Sequence, residues 1–138
     1  MMKFKSLEGN LEIKKLKSGI EVKCDIQKND YWYEFIFDEK VFLELASYLE
    51  KTAKEVWSDF EPKEATSMSD DFSSYYSRKY DSEAYLRLRY CSLSFEKASK
   101  ETDVLYKFNK RRMQSFIYTL KDCIKSRNCQ KIYLWKWR

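Results

Sequence analysis

The stretch YWYEFIFDEKVFLELASYLEKTA, residues 31–53, decides the fold when it is set beside TDVLYKFNKRRMQSFIYTLKDCI, residues 102–124. In the first, Tyr33, Phe35 and Phe37 alternate with Trp32, Glu34 and Ile36, the period of a strand with one face in a core. Asp38 then stands where a helix N-cap belongs. Phe42, Leu45, Ala46, Leu49 and Ala53 follow at the spacing of one helical face. A shift of 71 residues lays Val104, Tyr106 and Phe108 on the strand positions and Asn109 on the cap. It also lays Met113, Phe116, Ile117, Leu120 and Ile124 on the helical stripe. The two stretches read as copies of one structural unit.

The likeness extends upstream. Ile20, Val22, Cys24 and Ile26 alternate with polar residues, and Leu93 and Phe95 fall on Val22 and Cys24 at the same shift. Leu11 and Ile13 in the first half correspond in kind to Leu86, Leu88 and Tyr90 in the second. Their register differs, which predicts a hairpin of different length or a bulge. Each half therefore reads as strand, strand, strand, helix, with a further short strand before each. The predicted fold is α+β, one domain with an internal pseudo-repeat over about 10–57 and 83–126 and antiparallel sheet backed by two helices. Such a pairing leaves a sheet face uncovered. Residues 58–83, with Pro62, SMSDDFSS and YYSRKY, read as a mobile linker ordered around Tyr75, Tyr76 and Tyr80. The stretch 131–137 reads as a last strand with Tyr133, Trp135 and Trp137 on one face.

Absences narrow the chemistry. The 138 residues contain no His and only two Gly, Gly9 and Gly19, so His-based triads, His-ligated zinc and phosphate-cradling glycine loops are excluded. Cys24, Cys91, Cys123 and Cys129 have no paired-knuckle spacing, and Cys24 sits in a core alternation. No metal and no cofactor is expected. No apolar run approaches the ~20 residues of a membrane span, and the first residues lack an apolar signal core. A cytoplasmic protein with free thiols and no membrane partner is expected.

The net charge of +5 is unevenly distributed. Residues 1–57 carry −1, residues 58–83 carry −4 and residues 84–138 carry +10. Clustered Lys and Arg are what phosphate binding needs. In AYLRLRYC, Tyr85, Arg87 and Arg89 face away from Leu86, Leu88 and Tyr90, and Lys107 lies on the non-core side of its strand. Lys110, Arg111 and Arg112 gather at a helix start, and Lys136 lies between Trp135 and Trp137. Arginine and aromatic rings on one sheet face suit single-stranded nucleic acid, with Tyr85, Trp135 and Trp137 stacking and the cations on phosphates.

The doubled strand-rich unit with a basic aromatic sheet resembles the single-stranded-nucleic-acid-binding fold shared by the Whirly, PUR and positive-cofactor-four proteins. The resemblance covers about residues 10–57 and 83–126 as pattern, and the KGKAAL-type strand motif of Whirly proteins has no counterpart. It implies binding across the sheet and a homodimer. Two other functions compete. Glu12-x-Lys14 and Glu21-x-Lys23 have the local spacing of a metal-dependent nuclease, but no Asp precedes either, so catalysis is not expected. A protein-interaction module of phage or mobile-element type, binding a host or defence protein, would also expose Tyr, Trp and Arg. The Lys-rich, Gly-poor composition points to a bacterial or phage source.

Overall fold

The structure is a computed structural model that describes residues 2–25, 30–65 and 70–127. The first half runs β1 (Met2–Lys5), β2 (Asn10–Lys15), β3 (Ile20–Cys24), β4 (Trp32–Ile36) and α1 (Glu39–Val56). The second repeats the order as β5 (Ser74–Ser77), β6 (Ser82–Arg89), β7 (Ser92–Glu96), β8 (Val104–Phe108) and α2 (Lys110–Ser126). The fold is α+β, with two antiparallel sheets of four strands each and two helices.

The strand order is β1-β2-β3-β8 in one sheet and β4-β7-β6-β5 in the other. The fourth strand of each half thus leaves its own sheet and closes the other. Tyr33 pairs with Phe95 and Phe35 with Leu93, while Val22 pairs with Tyr106 and Ile20 with Phe108. Two hairpins of unequal length explain the differing registers upstream. Lys15 pairs with Ile20 across a four-residue loop, but Arg89 pairs with Ser92 across two residues, with Cys91 at φ 65°. Gly19 closes the longer loop where an added Cβ would come within 3.1 Å of the Phe108 carbonyl.

Of residues 58–83, expected as a linker, the described ones, 58–65 and 70–83, are built into the fold. They supply all of β5 and the start of β6, and they bury Phe60, Phe72 and Tyr75. The Asp70 carboxylate accepts from the backbone N–H groups of Phe72 and Ser73 at 3.1 and 2.6 Å, an Asx turn that launches β5. Four residues of SYYS hold too short an alternation to stand out beside a Ser/Asp run. The expected strand 131–137 lies outside the described residues.

One core joins everything described. Tyr33, Phe35 and Phe37 point inward from and beyond β4, as the alternation requires. Helix α1 adds Phe42, Leu45, Leu49 and Ala53, and α2 adds Met113, Phe116, Ile117 and Leu120. Tyr106 of β8 is fully buried where the two sheets meet. Its ring packs on Tyr75 at 5.0 Å, Phe95 at 6.4 Å and Phe108 at 4.8 Å, and its hydroxyl donates to the Phe72 carbonyl. Opposite the core each sheet has an outer face, marked by the exposed side chains of Lys3 and Lys107 on the first and of Trp32 and Tyr85 on the second. Among the described residues no helix is long and apolar enough to cross a membrane.

The two helix starts differ in a testable way. The Asn109 side chain accepts from the Arg112 N–H at 2.8 Å, whereas Asp38 occupies the same position with no side-chain cap bond. Asn109→Ala should therefore cost about 1 kcal/mol of stability. Asp38→Ala should cost only a few tenths, through the helix dipole. Urea midpoints of the two variants check this; equal losses would contradict it.

Candidate nucleic-acid interface

Directly opposed residues on neighbouring antiparallel strands point to the same face. On the outer face of the second sheet this gives three rows. Trp32 stands beside Glu96, then Tyr85, then Ser74. Glu34 stands beside Ser94, then Arg87. Ile36 stands beside Ser92, then Arg89. The inner strand β7 therefore offers Ser92 at its start and Ser94 at its middle, while the strands on either side carry large side chains. Small residues between large ones make a trough. Its floor is Ser92 and Ser94, one wall is Trp32, Glu34 and Ile36, and the other is Tyr85, Arg87 and Arg89.

The large rings are open to solvent, with Trp32 46% and Tyr85 43% exposed. A cavity of about 310 Å³ lies at this end of the trough, bordered by Trp32, Tyr85, Arg87, Ser94 and Glu96. The Glu83 carboxylate beside the Tyr85 hydroxyl raises the phenol pKa above its ordinary value. Ser94 Oγ donates to Glu34 at 3.5 Å, so the floor serine is tied to the β4 wall. Among the described residues Arg87 and Glu96 enter no salt bridge, so both heads remain available to a ligand.

The structure brings together Tyr85, Arg87 and Arg89 and places Lys107, Lys110, Arg111 and Arg112 elsewhere. Lys107 is on the non-core side of β8, but β8 belongs to the first sheet. There Lys107 sits opposite Glu21 and pairs with it at 3.7 Å. Lys110 pairs with Asp59 at 2.7 Å, an interaction that lowers the Asp59 pKa. Arg111 pairs with Asp71 at 3.4 Å. Arg112 donates from Nε to the Ser74 carbonyl at 3.1 Å and lies 5.7 Å from the centre of the Tyr75 ring. These three cations fasten segment 58–83 to the start of α2. Trp135, Lys136 and Trp137 lie outside the described residues.

Trp32, Glu96 and the two serines escaped the sequence reading. The signal for Trp32 was present, since alternation sets it and Ile36 on the face away from the core. What was hidden is the strand exchange, which carries a residue of the near-neutral half into the sheet of the basic half.

The outer face of the first sheet has a different character. Lys3 pairs with Glu12 at 3.8 Å and Lys23 with Asp103 at 3.5 Å, beside the Lys107–Glu21 pair. Both Glu-x-Lys pairs lie on this face, and their glutamates face lysines across the strands. It is a lattice of ion pairs in each of which one partner is well exposed and the other, such as Glu12 or Glu21, is largely covered. Among the described residues no group of three or more His, Cys, Asp or Glu could hold a metal ion.

No family model matches the chain, and neither the curated proteins nor the solved structures include a match to it.

Proposed function

We propose that this protein binds single-stranded nucleic acid along the trough on the outer face of its second sheet. The observation that carries the reading is the pair of exposed rings, Trp32 and Tyr85, that flank Glu96 of β7 in one row, with Arg87 and Arg89 in the next two rows. A base has a flat apolar face, and stacking on an aromatic side chain is worth about 1–3 kcal/mol per base. Arg87 and Arg89 stand one and two rows further along, opposite Ser94 and Ser92, to take phosphates. The bases of a duplex are stacked and paired, so their faces cannot enter such a slot; unpaired bases can.

The test is fluorescence anisotropy with a labelled strand of ~20 nucleotides at several salt concentrations. If Arg87 and Arg89 supply the phosphate contacts, log affinity should fall against log salt with a slope near about −1.4, two phosphates at about −0.7 each. Absence of binding at low salt would remove the reading.

One observation favours a second function. The same face mixes Arg87 and Arg89 with Glu34, Glu83 and Glu96, an alternation of charge that also suits a protein partner. A host or defence protein target, as a phage or mobile-element factor would have, is what failure of the nucleic-acid test would promote.

A further inference from the structure

A carboxylate in a trough for a polyanion needs an explanation, and Glu96 lies between the two exposed rings. It cannot face a phosphate. It can face the N–H groups of a base edge. We infer that the row Trp32, Glu96, Tyr85 is a slot selective for guanine, an assignment that rests on the nucleic-acid reading above.

The dimensions fit one base. Trp32 and Tyr85 are two strands apart, which separates their Cα atoms by about 9.5 Å, and both side chains rise from the same face. A planar base with about 3.5 Å to each ring takes about 7 Å of that span. The cavity of about 310 Å³ at this place is bordered by both rings and by Glu96. A base held between the rings stands with its plane across the row and its edge toward the sheet, where the Glu96 carboxylate rises between the two side chains.

The choice of base follows from donors and acceptors. Guanine presents N1–H and the N2 amino group side by side, two donors that match the two carboxylate oxygens. Adenine presents one donor beside the N1 lone pair, and cytosine one donor beside the N3 lone pair; each sets an acceptor against the negative charge. Uracil and thymine present a single N3–H flanked by two carbonyl oxygens. Only guanine satisfies the carboxylate on both sides, and a polar edge left unmatched between the rings is penalised. Arg87, in the next row, is placed for the adjoining phosphate.

The experiment compares 15-nucleotide dT strands carrying one central dG, dA, dC or deoxyinosine, and the all-dT strand, by competition against a labelled dT strand. The dG strand should bind about tenfold or more tightly than the dA, dC and all-dT strands. Deoxyinosine lacks the N2 amino group and should lose most of that advantage. Glu96→Gln, an isosteric change, should abolish the preference for dG, read as the ratio of dG-strand to dT-strand affinity within that variant. Equal affinity for all centres in the unmodified protein, or a dG preference that survives in Glu96→Gln, overturns the guanine slot and leaves nucleic-acid binding standing. Failure of every strand to bind overturns both.

Discussion

Replacing Trp32 and Tyr85 together by Ala should weaken binding to a single strand by about a hundredfold or more, with little change in melting temperature. Each ring contributes one stacking surface worth about 1–3 kcal/mol, and both are lost in the double variant. If one base fills the slot, the two rings share it. The single variants should then each lose most of the effect, and their losses should not add. If the rings hold different bases, the losses should add. Stability is nearly untouched because both side chains are about half exposed and stand away from the core. Titration of a labelled strand with the three variants, beside thermal melts, makes the comparison. Unchanged affinity in the double variant would remove the trough as the binding site.

The largest expected loss of stability lies at Tyr106. Tyr106→Ala should cost about 3–5 kcal/mol, the scale of removing a large buried aromatic side chain. That corresponds to a fall of roughly 10–20 °C in melting temperature for a chain of this size. The loss is large because the ring touches Tyr75 and Phe95 of one sheet and Phe108 of the other. Tyr106→Phe separates packing from hydrogen bonding. It keeps the ring but leaves the Phe72 carbonyl without its donor, at about 1–3 kcal/mol. Calorimetry on the two variants gives both numbers, and a Phe variant as damaged as the Ala variant would place the main role in the hydroxyl.

Local periodicity made much of this fold legible. The alternation at Tyr33, Phe35 and Phe37 and the stripes through Phe42 to Ala53 and Met113 to Leu120 point where the sequence places them, because burial of one face is a local pattern. The capping at Asn109 follows from one side chain and is equally local. Pairing between sheets is not local. Nothing within β4 says that its neighbour is β7, and so Trp32 could not be set beside Tyr85 from sequence. The charge count misled for a related reason. A sum over residues 84–138 records cations without their partners, and the partners of Lys107, Lys110 and Arg111 are Glu21, Asp59 and Asp71 in the other segments. Ser92 and Ser94 were invisible as a floor because a small polar residue on a solvent face is unremarkable until its neighbours are known.

The reciprocal placement of β4 and β8 has a consequence for how the molecule assembles. Each half is a four-strand-and-helix unit that donates its last strand and receives one in return, which is the arrangement of a strand-swapped dimer. Here both protomers are segments of one chain, so the swap is closed within the molecule. The encounter of the halves is governed by the length of chain between them rather than by protein concentration. The same reciprocity is a hazard while the chain is still folding in a crowded mixture. A half whose partner strand has not yet arrived presents an acceptor edge that the corresponding strand of a second molecule fits equally well, and two chains can then close on each other instead of on themselves.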